Sequence, residues 1–273
     1  MLAVMCTLVT AHGVLDSFPL IIAANRDERY DRPSARAQFW PDASHVLAGR
    51  DLKAGGTWLG ITRSGRWAAV TNVYEKAHDA SRPRSRGDLV SDFLLGDKAP
   101  QPYLEAIRAD GDQYRAFNVI VGDGPEVWYL SNYNDALQPL SPGIHGVSNH
   151  LLNTPWPKLE RAKRGVRAAC DTYRRPGDEP ALLDALHELL SDPTEATDAE
   201  LQAPDLPRAR QRPLSALFVR DGDYGTCSST AIVMNSAGDI HFEERVTNPL
   251  VRGEERERRA TFVFGPDGTA SVP

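Results

Sequence analysis

Apolar and β-branched runs set between polar turn formers open the chain. Residues 5–10 and 20–25 read as two strands, with Ala11-His12-Gly13 and Asp16-Ser17-Phe18-Pro19 between them, a pattern that predicts a hairpin. Residues 57–61 and 67–72 repeat it around Thr62-Arg63-Ser64-Gly65, where the glycine suits a positive φ. Residues 76–87 (KAHDASRPRSRG) are polar and proline-containing and predict a mobile loop.

Helical spacing then takes over. Leu89, Val90, Phe93 and Leu94 mark a helix over 87–95, and 103–109 predicts a second, shorter one. Strands are predicted at 117–121 and 127–131, around the turn Gly122-Asp123-Gly124. Residues 157–175 and 181–190 predict two more helices, the second opened by Pro180. The proline- and aspartate-rich stretch 191–213 reads as a surface excursion. Strands follow at 214–219, 228–234 and 240–245, the last two forming a hairpin around Asn235-Ser236-Ala237-Gly238, and 261–264 predicts an edge strand. This order lacks the strict βαβ alternation of a doubly wound sheet and any regular repeat. It predicts an α+β protein of antiparallel sheets enclosed by helical layers, in one domain spanning 1–273.

Composition narrows the classes. A hydrophobic share of 41% with 25% charged residues is ordinary for a globular chain. A formal net charge of -6 argues against a nucleic-acid partner, since phosphate binding needs a clustered positive excess. No apolar run approaches the roughly 20 residues of a membrane helix, so no stable membrane insertion is expected. Cys6, Cys170 and Cys227 are too few for a disulfide framework, and the start MLAVMCTLVT lacks a basic segment. Both point to a cytoplasmic protein. No Cys/His cluster has zinc spacing, so no structural metal is expected.

The candidate chemistry gathers at the amino-terminal hairpin. If Met5 is the biological start, its removal leaves Cys6 with a free α-amine, a base with a pKa of about 7.7–8.0. If Met1 is the start, Leu2 blocks its removal and the Cys6 nitrogen stays an amide unless the leading peptide is cleaved; residues 1–4 read as a pre-sequence or a mis-assigned start. With the loop centred near Leu15, Cys6 lies opposite Ala24 or Asn25, so Asn25-Arg26-Asp27-Glu28 begins beside the thiol. Alternation puts Asn25 and Asp27 on one face and Arg26 and Glu28 on the other; which pair faces the sulfur stays open. Asp27 suits an α-ammonium, and a guanidinium favours a thiolate. The commonplace readings are a buried strand cysteine and a charged strand exit. Arg82, Arg84 and Arg86 read as a solvated loop, or, beside a pocket, as a phosphate contact for a coenzyme A thioester.

Met5-Cys6-Thr7, Ala24-Asn25-Arg26-Asp27-Glu28, Gly55-Gly56-Thr57-Trp58-Leu59-Gly60, Ala69-Val70-Thr71-Asn72, Gly146-Val147-Ser148-Asn149, Thr154-Pro155-Trp156 and Tyr224-Gly225-Thr226 together resemble the Transport and Golgi organisation 2 family, also called the NRDE family. More distantly they resemble the choloylglycine hydrolases and penicillin V acylases, N-terminal nucleophile hydrolases built as a four-layer αββα sandwich. That resemblance implies Cys6 as nucleophile, Asn25, Arg26 and Asp27 beside it, and Asn72 and Asn149 as oxyanion donors. Glu28, Trp58 and Trp156 are expected to contact substrate. The chain departs from these patterns in two places: Ala24 stands where the hydrolase group has arginine, with Arg26 two residues on, and Cys227 follows Tyr-Gly-Thr where the NRDE pattern often has arginine.

Two functions are therefore expected in competition. One is hydrolysis or transfer of an acyl group from an amide or thioester, requiring no cofactor, with a small-molecule acyl compound as partner. The other, implied by the family resemblance, is a non-catalytic carrier of haem or of acyl-CoA and lipid. Oligomeric state is not legible in the sequence.

Overall fold

A computed structural model of the chain describes residues 6–74, 82–201, 208–251, 253–254, 258–265 and 270–271. The elements in chain order are strands β1 (Thr7–His12), β2 (Leu20–Arg29), β3 (Ser34–Trp40), β4 (Ala43–Asp51), β5 (Leu59–Thr62) and β6 (Trp67–Asn72); helices α1 (Asp88–Leu95) and α2 (Pro100–Ala109); strands β7 (Phe117–Asp123), β8 (Glu126–Ser131), β9 (Ala136–Pro139) and β10 (Gly143–Val147); helices α3 (Pro157–Thr172), α4 (Glu179–Leu190) and α5 (Arg208–Leu214); and strands β11 (Arg220–Asp221), β12 (Tyr224–Met234), β13 (Ile240–Val246), β14 (Arg259–Phe264) and β15 (Ala270–Ser271).

Two antiparallel sheets result. One runs β10-β1-β2-β12-β13-β14-β15 with β11 paired to β12; the other is the meander β3 to β9 in sequence order. Period-two alternation sorts the side chains of the first sheet. Val9, Ala11, Ile21, Ala23, Ala231 and Val233 face outward and pack on Leu159, Ala162 and Val166 of α3 and Leu182 and Leu186 of α4. Leu8, Leu20, Ile22 and Ala24 face inward against Leu47, Leu59, Ile61, Ala69 and Ile120 of the second sheet. The outer face of that second sheet buries Val46, Ala68, Val119 and Val121 under Leu89, Phe93 and Leu104 of α1 and α2. The architecture is the helix–sheet–sheet–helix sandwich expected, with antiparallel strands in both sheets.

Several elements differ from expectation. Strands β3 and β4 were not anticipated, because the alanine-rich 34–51 carries little β propensity and its turn is the two residues Pro41-Asp42. Strands β9 and β10 were missed because each is short and interrupted by proline or glycine. The expected strand at 214–219 is instead the end of α5 followed by a bend, its apolar residues buried without pairing: Leu214 and Leu217 are both interior. The excursion 191–213 thus contains most of a helix, while 202–207 lie outside the described residues, as do 1–5 and 75–81, which hold half of the expected mobile loop. The turn at Gly65 does adopt a positive φ of 86°.

Candidate active site

Strand β1 pairs with β2 so that Thr7 opposes Asn25 and Leu8 opposes Ala24. Extending this register places Cys6 across from Arg26, one residue beyond the expected partner. Parity then settles the face: Cys6 and Arg26 alternate with Leu8 and Ala24 and look between the sheets, whereas Asn25 and Asp27 alternate with Ile21 and Ala23 and look toward the helices.

On the inner face, Cys6, Arg26 and Trp58 line a small cleft, partly open to solvent, together with Leu59, Ala69 and Thr71 of the opposing sheet. The Arg26 guanidinium lies 4.3 Å above the Trp58 ring, a cation–π contact in a largely desolvated place. Trp58 is held there because β4 carries Gly49, where a Cβ would stand 2.5 Å from the indole.

The Cys6 Sγ–H donates to Asp27 O over 3.8 Å. Burial, then the nearby Asp27 carboxylate, push the thiol up to about 12, outweighing the Asp27 carbonyl contact and Arg26. The thiolate expected from a nearby guanidinium is therefore not the resting form. Arg26 opposes the shift, but desolvation wins.

On the helical face, Asn25 is fully spent on structure. Its Nδ2 donates to Leu190 O and Leu217 O, both at 2.8 Å, and its Oδ1 accepts from Ser229 Oγ at 2.6 Å. Asp27 is wholly buried; its Oδ1 accepts from Thr226 Oγ1 at 2.7 Å, and its Oδ2 has no partner among the described residues. Burial raises Asp27 to about 7, against Lys158, the Thr226 hydroxyl and Arg26. Lys158, at the head of α3, was missed by sequence reasoning. The available signal was its place at the head of the apolar stripe Ala162, Val166 and Ala169, which by itself does not separate a buried amine from a solvated one.

The asparagines are linked to the thiol residue through its backbone. The Ser148 hydroxyl sits 3.0 Å from Cys6 O and 3.2 Å from Asn149 Oδ1 and donates its one proton to either. Asn149 Nδ2 donates to Asn72 O at 3.2 Å. Residues 148–149, which follow edge strand β10, thus tie the first sheet to β6 of the second. Asn149 is buried and Asn72 half-buried. Glu28 and Trp156 do not line the cleft. Glu28 accepts from Arg29 N and pairs with Arg32 at 3.7 Å, while Trp156 packs against the helical core beside His150. Cys227 is the extra residue of a bulge, where β12 slips against β2 between Thr226 and Ser228; its Sγ–H reaches Glu28 O at 3.6 Å. Cys170 is buried under α3 and α4. Arg82 and Arg86 donate to Tyr114 O and Ala116 O, and Arg84 pairs with Asp92 at 3.3 Å, so this loop is anchored to protein groups.

Among the described residues no group of three or more His, Cys, Asp and Glu side chains could hold a metal ion, and no helix is long and apolar enough to cross a membrane. Haem fits the cleft poorly. Among the described residues its lining offers one sulfur, in the protonated form, and no imidazole or thioether, whereas axial ligation draws on a thiolate, histidine or methionine.

Two antiparallel sheets enclosed by helical layers make up the N-terminal nucleophile hydrolase fold. A solved structure of that fold, a Caenorhabditis elegans N-acylethanolamine-hydrolyzing acid amidase ortholog, superposes with a TM-score of 0.51 at 14% identity, covering 84% of this chain and 92% of that one. The chain belongs to the Transport and Golgi organisation 2 family, whose model matches residues 5–249. It is 37% identical to a Transport and Golgi organization protein 2 homolog of Bos taurus, over 84% of this chain and 87% of that protein. Identity to the Mus musculus Transport and Golgi organization 2 homolog is also 37%, over 91% and 93%.

Proposed function

We propose that the protein is a cysteine-dependent hydrolase or acyltransferase acting on an amide or thioester, with Cys6 as nucleophile. The observation that carries this reading is that Cys6 lines the cleft together with Arg26, across from Trp58. The thiol gives up its proton and Sγ bonds to the substrate carbonyl carbon. The carbonyl electrons move to oxygen, where side-chain amides such as Asn149 and Asn72 would stabilise the charge by about 3 kcal/mol each if aimed at it. Collapse expels an amine or thiol, which takes the proton. Water then cleaves the Cys6 thioester, releasing the acid and restoring the thiol. When Cys6 is the first residue, its α-amine is available as the base, and Asp27 has a carboxylate oxygen to hold it.

An N-acyl amide, the substrate class named for the nematode neighbour, is the first compound to assay, beside an acyl thioester. Cys6→Ala is expected to lower turnover about a thousandfold or more while the melting temperature changes little. Turnover by Cys6→Ala at the wild-type rate would refute the assignment. The haem-carrier reading has the weaker donor set, one protonated sulfur and no imidazole among the described residues that line the cleft.

A further inference from the structure

Arg26 is a buried cation that lacks an anion. The residue is 7% exposed and lines the cleft from the inner face of β2. Among the described residues its guanidinium has no hydrogen-bond acceptor and no ion-pair partner; the contact it makes is the stack on Trp58. A guanidinium stacked on a ring turns its flat face to the aromatic and leaves its in-plane N–H donors free. The nearby acids are engaged elsewhere. Glu28 accepts from Arg29 N and pairs with Arg32. Asp27 faces the helices and accepts from Thr226. Glu244 accepts from Ala37 N, and burial holds its carboxyl up at about 7, so near neutral pH it supplies only part of a counter-charge. A desolvated charge without a partner is costly. Here it stands at the wall of a cleft, where a ligand can supply the anion.

We propose that Arg26 is a carboxylate-binding residue, and that the compound entering the cleft is an acyl amide or thioester with a carboxylate a few bonds from its scissile carbonyl. This deepens the hydrolase reading and rests on it for the reaction. The distance follows from register. Cys6 and Arg26 oppose each other when the β1–β2 pairing is extended by one residue, and Cβ atoms of such a cross-strand pair stand about 4.5–5.5 Å apart. A carbonyl carbon bonded by Cys6 Sγ and an anion held by Arg26 therefore belong to one small molecule. The guanidinium fork donates two parallel N–H bonds to the two carboxylate oxygens, and the Trp58 stack fixes the plane of that fork. Around it Leu8, Ala24, Leu59 and Ala69 are apolar, so water screens the pair little. An uncharged acyl chain in the same place would leave the cation unpaired, which discriminates against it.

The test uses two alkylating agents on the full chain. Iodoacetate and iodoacetamide present the same reacting carbon to Cys6 and differ in carrying a carboxylate or a neutral amide. Both consume the thiolate, so the ratio of their rates, read at Cys6 by peptide mass spectrometry at one fixed pH, cancels any effect of Arg26 on ionisation of the thiol. The iodoacetate-to-iodoacetamide ratio is expected to fall at least about tenfold in Arg26→Gln, as loss of a desolvated charge-assisted pair requires. An equal ratio in the two proteins overturns the proposal. Because replacing a buried arginine can impair folding, a second measurement uses wild type alone. Acetate or succinate should slow iodoacetamide alkylation of Cys6 saturably, and sodium chloride at matched ionic strength should not. Absence of protection overturns the proposal, as does protection by inorganic phosphate without protection by either carboxylate. Neither readout requires turnover. If no acyl compound is cleaved while the ratio and the protection behave as expected, the hydrolase assignment fails and the carboxylate site stands. If Cys6-dependent turnover is found, equal for charged and uncharged acyl compounds and with the reagent ratio unmoved, the reverse holds.

Discussion

Asn25 stands in the tetrapeptide that most suggested chemistry, yet its hydrogen bonds all serve architecture. It crosses from β2 to the end of α4 at Leu190 O and to Leu217 O, and accepts from Ser229 on β12. Truncation would strand two buried carbonyls and a hydroxyl, each costing about 1–3 kcal/mol. Asn25→Ala is therefore expected to destabilise the fold by on the order of 3 kcal/mol, read as a lower midpoint in urea at unchanged slope; a loss under about 1 kcal/mol would contradict this account. Residue type and spacing made Cys6, Arg26 and Asp27 legible as a group. They did not reveal that one register step puts Arg26 with the thiol and sends Asn25 and Asp27 behind the sheet. Nor did they expose Lys158, because in a chain with 31 basic residues a lysine beside a helix start usually reads as solvated.

At the level of elements, alternation and turn chemistry were readable wherever strands are apolar and turns contain glycine: β1, β2, β6, β7, β8, β12 and β13 were all anticipated within a few residues. Strands β3 and β4 were not, since their pairing is interrupted by register shifts between Ala35 and Gln38 and between Phe39 and Trp40. Yet β4 shapes the cleft. Gly49 leaves room for the Trp58 indole, and a methyl there would meet Cζ2 and Cη2 at 2.5 Å and Ala35 O at 3.2 Å. The ring, and with it the Arg26 guanidinium 4.3 Å above, would have to move. Gly49→Ala is expected to cost about 1–3 kcal/mol through overpacking and to shift the tryptophan emission maximum. It should also slow Cys6 alkylation, since a displaced Arg26 no longer offsets burial of the thiol. Unchanged emission together with unchanged alkylation would mean that Trp58 does not position Arg26.

Across the whole molecule, the sheets are joined by an apolar layer and by a few buried polar links, of which Glu244 is the most open to a pH test. It is 1% exposed, sits on β13, and accepts from Ala37 N of β3 at 2.6 Å. Burial raises its carboxyl to about 7, against the Ala37 N–H and Arg26. An unfolded glutamate titrates near about 4.3. Between those values the folded protein keeps a proton that the unfolded chain has released, so the Glu244 contribution falls as pH rises through this window and is level above it. Asp27, raised to about 7, acts in the same direction. His187, lowered to about 4 chiefly by burial, acts in the opposite one: the unfolded chain gains its proton first, so its contribution is lost as pH drops from about 6.5. Measured total stability therefore mixes signs, and a difference between variants isolates one group. Glu244→Gln keeps an oxygen for Ala37 N–H and never ionises. Its stability minus that of wild type should climb from pH 5 to pH 8 by about 2–3 kcal/mol, because each pH unit separating the folded and unfolded midpoints is worth about 1.36 kcal/mol. A difference flat across that range would show that Glu244 is not held protonated between the sheets, and that the charge of Arg26 is balanced there instead.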